Sequence, residues 1–139
     1  MRVPIRSLCA LMTLSFALSA LGGQPCNEMV YEDRNQVDYG PIGLRQLHGK
    51  AVDRDGVAVP GVCVGLFSEA DHRLITATET RAKGDFRLRD VPKGNYRLVA
   101  KYEAFGTANA RVFVGRGAAG VILKMRTAGT DTTSYIEPK

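Results

Sequence analysis

Tryptophan is absent from these 139 residues, histidine occurs twice and cysteine three times. Each scarcity narrows the function. Sugar-binding faces rely on exposed aromatic rings, tryptophan above all, so such a face would rest on Tyr31, Tyr39, Phe67 and Tyr102. His48 and His72 lie in no His-x-His or Cys-x-x-Cys spacing, whereas a zinc site takes about three or four ligands. Both read as surface imidazoles. No Gly-x-Ser-x-Gly occurs, so the nucleophile elbow is excluded. Asp53-x-Asp55-Gly56 begins like a calcium loop, but the ligand run stops there and turn chemistry accounts for it.

Apolar residues concentrate at the N-terminus. Arg2 and Arg6 are the only charges before Glu28, and Leu8 to Leu21 is mostly apolar. This is the pattern of a secretory signal peptide over residues 1–22. It is short for a membrane span, which needs roughly 20 apolar residues. Cleavage fits after Ser19 or after Gly22. The expected mature chain of about 115 residues suits one exported domain, periplasmic or secreted, with no membrane span. Loss of Arg2 and Arg6 lowers the formal charge from +5 to +3. That balance is modest, the basic residues are scattered, and no aromatic stacking pattern accompanies them. Nucleic acid is therefore excluded as a partner.

Cys9 leaves with the signal, and Cys26 and Cys63 remain. An even pair in an exported protein points to a disulfide; two unpaired thiols are the alternative. Cys63 stands between Val62 and Val64, whose alternation turns it outward. A bridge to Cys26 would pin the N-terminal arm across the outer face of a sheet and close a loop of about 36 residues. A thiol hydrolase built on Cys63 with His48 or His72 is the poorer reading, since oxidising compartments disfavour a free thiol.

The most informative run is Thr80 to Leu98. Gly84 and Gly94 each precede an alternating stretch, Phe86 and Leu88, then Tyr96 and Leu98. Similar stretches predict strands at 46–53, 62–68, 73–79, 85–89, 95–102, 107–114 and 121–125, separated by Gly, Pro and Asp turns. Residues 23–45 form a polar arm, with room for one edge strand near Leu44 to Leu47. Residues 46–126 form the domain, and the threonine-rich tail 127–139 is expected to be disordered. The expectation is an all-β, seven- to eight-stranded antiparallel β-sandwich. Its predicted core is Ala51, Val62, Val64, Leu66, Phe86, Leu88, Tyr96, Leu98, Ala100, Val112, Val114 and Ile122, with Phe105 beside it. Arg87, Arg89 and Arg97 fall on the opposite, solvated face.

Five motifs in order carry a resemblance. They are Gly49-Lys-Ala51-Val-Asp53-x-x-Gly56; Val59-Pro60-Gly61-Val62-Cys-Val64-x-Leu66; Thr78-x-Thr80-x-x-x-Gly84-x-Phe86-x-Leu88; Val91-Pro92-x-Gly94-x-Tyr96-x-Leu98; and Tyr102-Glu-Ala-Phe105-Gly106. Together they resemble the carboxypeptidase regulatory-like domain, a transthyretin-like (prealbumin-like) sandwich. Arg81 departs from the pattern, which often has Asp there, and this argues against metal in that loop. The resemblance implies a folding, adhesion or interaction module rather than an enzyme. A purine-pathway hydrolase shares the fold but ends in Tyr-Arg-Gly-Ser, where this sequence has Ile136-Glu-Pro-Lys139. Related ring-cleaving dioxygenases hold iron with two tyrosines and two histidines; Tyr96 and Tyr102 are here, but the histidine spacing differs. The reading is a non-enzymatic envelope module with no cofactor, metal or catalytic residue, binding an envelope protein. A starch-binding-like carbohydrate module is the alternative, and an anionic surface polymer is a further candidate partner. The candidate binding face is Arg87, Arg89, Arg97, Phe67 and Tyr102.

Overall fold

The computed structural model describes residues 26–34, 40–129 and 133–139. The expected signal peptide and both cleavage positions lie outside the described residues, as does Tyr39.

A short 3-10 turn, Cys26–Glu28, precedes nine strands. These are β1 (Ile42–Leu44), β2 (Leu47–Val52), β3 (Cys63–Ser68), β4 (Leu74–Glu79), β5 (Asp85–Leu88), β6 (Gly94–Lys101), β7 (Ala108–Val114), β8 (Val121–Lys124) and β9 (Tyr135–Pro138). One sheet has the order β1-β7-β6-β3-β4, the other β5-β2-β8-β9. They pack face to face as a β-sandwich, as the alternation required.

Two corrections follow. The sandwich has nine strands among the described residues, and it is not wholly antiparallel: β1 pairs with β7 and β2 with β8 in parallel. The chain from Ile42 to Val52 changes sheets at Arg45 and Gln46, so both halves keep one direction. The tail is also not structureless. Tyr135–Pro138 pairs antiparallel with β8, placing Ile136 opposite Leu123 with only 2% of its surface exposed. Ser134 fixes the return, its hydroxyl accepting from the Arg126 N–H at 2.8 Å. The threonines before Tyr135 masked a four-residue strand with one inward anchor. Ile136→Ala is expected to cost about 2 kcal/mol in a denaturant titration, the low end for a buried branched side chain because β9 is an edge.

The core is continuous between the sheets. Leu44, Val62, Val64, Leu66, Leu98, Ala100, Val121, Leu123 and Met125 are fully buried there. The register of β8 explains why Ile122 is not among them. Leu123 lies beside the inward Ala51, so Val121 and Leu123 face in and Ile122 faces out. Tyr96 closes one corner, its hydroxyl donating to the Pro92 carbonyl at 2.7 Å. Gly84, at φ +77°, turns the chain from β4 into β5; a Cβ there would meet the Ala51 carbonyl at 2.6 Å. Asp53 receives the N–H groups of Asp55 and Val57, both at 2.9 Å, so its carboxylate is occupied by its own turn.

Candidate functional site

The residues expected to share one binding face lie on three different surfaces. Arg87 and Arg89 belong to β5 and its end, on the four-stranded sheet. Arg97 and Phe67 belong to β6 and β3, on the outer face of the five-stranded sheet, where they are register neighbours. Tyr102 follows β6 and remains 37% exposed, tilted against Phe105.

Arg97 and Phe67 do not meet solvent. Their exposures are 5% and 1%. The N-terminal arm covers them, and a disulfide between Cys26 and Cys63 holds its start to β3. Met29 then lies over Gly65, where a Cβ would stand 2.9 Å from its sulfur. The glycine makes room for the arm. Farther along, the Tyr31 ring meets Phe67 edge-on at 5.8 Å and stacks on His72 at 3.7 Å.

Beneath the arm, Arg97 is fully engaged. Its Nε donates to Glu69 Oε1 at 2.7 Å and its Nη1 to Asn109 Oδ1 at 3.1 Å. The guanidinium lies 5.7 Å from the Tyr31 ring centroid. Asn109 in turn donates to the Arg34 carbonyl at 2.9 Å, tying the far end of the arm to β7. Burial pulls the Arg97 pKa down, but the Glu69 carboxylate outweighs it and holds the group above the ordinary arginine value. Arg97 and Phe67 thus fasten the arm and are withdrawn from the candidate binding face. Tyr31, Glu69, His72 and Asn109 were not singled out for this network from the sequence. A signal existed: a face carrying Phe67, Val99 and Arg97 outward needs a cover.

Where β4 and β5, the edge strands of the two sheets, run side by side, the 3-10 turn of the arm packs against β4, and the outer main-chain edges of the two strands stay open. The Thr80 N–H donates to the Val62 carbonyl at 2.9 Å. By the alternation of an antiparallel ladder, Thr78 and Thr76 face β3, while the N–H and C=O of Ala77 and Glu79 point away from it. Likewise Ala51 bonds the Gly84 carbonyl at 2.8 Å, so the main chain of Asp85 and Arg87 points outward from β5. The Asp85 carbonyl accepts from the Arg81 N–H at 2.9 Å, whereas both main-chain groups of Arg87 stay outward.

Arginines border this open side. Arg81 pairs with Asp85. Arg45, Arg87 and Arg89 make no ion pair among the described residues. Two shallow hollows meet at Arg87 and Arg89. One, of about 300 Å³, adds Arg45 over a floor that includes Leu47, Leu88 and Val91. The other, of about 230 Å³, adds Thr78, Glu79, Arg81 and Phe86. Of the titratable groups considered for catalysis, His48 lies on β2 and His72 in the β3–β4 corner, on different sheets. No cluster of three or more His, Cys, Asp or Glu that could hold a metal occurs among the described residues.

The model of the carboxypeptidase regulatory-like domain matches residues 46–126. The chain belongs to this family. The carboxypeptidase regulatory-like domain here is extended by β1 and the arm on one side and β9 on the other. No curated protein matches the sequence. Among solved structures, 5-hydroxyisourate hydrolase of Klebsiella pneumoniae is similar, with 19% identity and a TM-score of 0.50. The match covers 68% of this chain and 98% of the hydrolase. At that identity the likeness establishes a shared transthyretin-like fold. A 3-chlorocatechol 1,2-dioxygenase of Rhodococcus opacus 1CP matches at 8% identity and a TM-score of 0.39, over 79% of this chain and 71% of its own.

Proposed function

We propose that this carboxypeptidase regulatory-like domain is a non-enzymatic, exported interaction module of the cell envelope that binds another protein. The observation that carries this reading is the open β4–β5 side. There two edge strands present unmatched main-chain groups in one direction, which a partner strand can complete. The other side offers less: β1 has three residues, and β9 ends at Pro138, which has no N–H to donate. Export is supported by the Leu8 to Leu21 segment behind Arg2 and Arg6 and by the Cys26–Cys63 bridge, which an oxidising compartment sustains. The carbohydrate reading has lost two of its rings, since Phe67 is buried and Tyr31, itself on the arm, is stacked on His72.

Photo-crosslinking in the producing cell tests this reading. A photoreactive residue at Glu79 should yield a discrete crosslinked protein in the envelope fraction, and one at Pro138, exposed on β9 at the opposite edge of the four-stranded sheet, should not. No protein adduct at Glu79, or saturable glycan binding abolished by Tyr102→Ala, would defeat it.

A further inference from the structure

The open side also specifies the chemistry of its occupant. We infer that an acidic, extended segment of the partner protein lies along the β5 edge, its carboxylates held by Arg87, Arg89 and Arg45. The inference rests on the interaction-module reading and names the partner's chemistry.

The electrostatic argument is local. Around the two hollows, Arg45, Arg87 and Arg89 have no acidic partner among the described residues, while Arg81 is already matched by Asp85. Glu79 and Asp90 are the acids lining these hollows, against four arginines, so the rim keeps an excess of positive charge. Guanidinium groups present paired donors that fit a carboxylate fork, and two adjacent forks fit carboxylates spaced along one chain. Arg87 and Arg89 are two residues apart, so they project from the same face at strand spacing. A partner strand carries its own side chains at that same spacing. Carboxylates at alternate positions therefore meet Arg87 and Arg89 together.

The main chain decides between a peptide and another polyanion. The outward N–H and C=O of Arg87 need a donor and an acceptor in fixed register, which a polypeptide backbone supplies. Phosphate and sulfate groups offer acceptors alone, and a glycan's hydroxyls do not repeat in the register of a strand. The floor of the larger hollow, with Leu47, Leu88 and Val91, also favours a segment with apolar residues between its acids.

A fluorescein-labelled ten-residue peptide of alternating glutamate and valine is the probe, titrated by anisotropy into the full mature chain. Saturable binding that weakens with added salt is expected. The Arg87→Ala/Arg89→Ala variant should bind about tenfold more weakly, the sum of two exposed ion pairs, with an unchanged melting temperature. N-methylation at alternate peptide nitrogens should weaken binding at least as much. Absence of saturable binding overturns the inference. So does binding of polyphosphate or a sulfated glycan as tight as the peptide, with indifference to N-methylation, which would assign the rim to an anionic polymer. The two claims also separate in the cell. A Glu79 adduct that persists in an Arg87→Glu/Arg89→Glu chain sinks the acidic segment but leaves a protein partner; loss of every protein adduct in the unaltered chain sinks the interaction module itself.

Discussion

Replacing Cys26 and Cys63 with serine is expected to lower stability by about 3–4 kcal/mol, the chain-entropy value for a loop of this length. In a domain of about a hundred residues that corresponds to a fall in melting temperature of roughly 12–30 °C. The effect has two parts. The unfolded chain regains the freedom of the segment between Cys26 and Cys63, 37 positions apart. The folded chain also loses the anchor that keeps Met29 over Gly65 and Tyr31 over Phe67. Thermal melts of the oxidised chain, the reduced chain and the double serine variant check this, with intact mass reporting the bridge. Equal melting temperatures would mean that the arm docks without the disulfide.

Arg97→Ala should cost about 3 kcal/mol, the low end for breaking a buried ion pair. The low end applies because the Glu69 side chain keeps 28% of its surface, so water relieves part of its isolation. The truncation leaves Asn109 Oδ1 without its donor and removes the cation from beneath Tyr31. Arg97→Met should cost less, since it refills the volume. A double-mutant cycle with Glu69→Gln, read by denaturant titration, should give a coupling of about 1–2 kcal/mol. Additive effects would show that the two side chains stabilise the face independently. The pH dependence has a definite sign. The raised Arg97 pKa means that its contribution is complete below the ordinary arginine value and is lost only as pH rises through the folded one, so its charge persists at neutral pH.

These results bear on what could be read in advance. The sandwich was legible because its inward residues alternate cleanly, as in Val62, Val64, Leu66 and Phe86, Leu88, and because Gly84 and Asp53 mark turns of one type each. The disulfide followed from two cysteines left after the expected export and from the outward parity of Cys63. Parity also misled. It shows that Arg97 leaves the core between the sheets, but not whether solvent or another segment lies beyond. The cover comes from residues 26–34, which have no period, and its contacts through Tyr31 with Glu69 and through Arg34 with Asn109 join positions 38 and 75 apart in sequence. Ile122 failed for a related reason. A four-residue strand has no length to reveal its phase, and only its pairing with β2 fixes which side faces in. The open side was half legible: Arg87 and Arg89 were named, but the neighbouring edges of β4 and β5 depend on sheet order, which no local pattern encodes.

Residue-resolved amide hydrogen exchange on the free protein tests the central claim most directly. The account predicts slow exchange at Thr76 and Thr78, which bond β3, and fast exchange at Ala77, Glu79 and Arg87, whose N–H groups face outward. Protection at Ala77, Glu79 and Arg87 equal to that of their neighbours would contradict it, because the edge offered to a partner would already be paired.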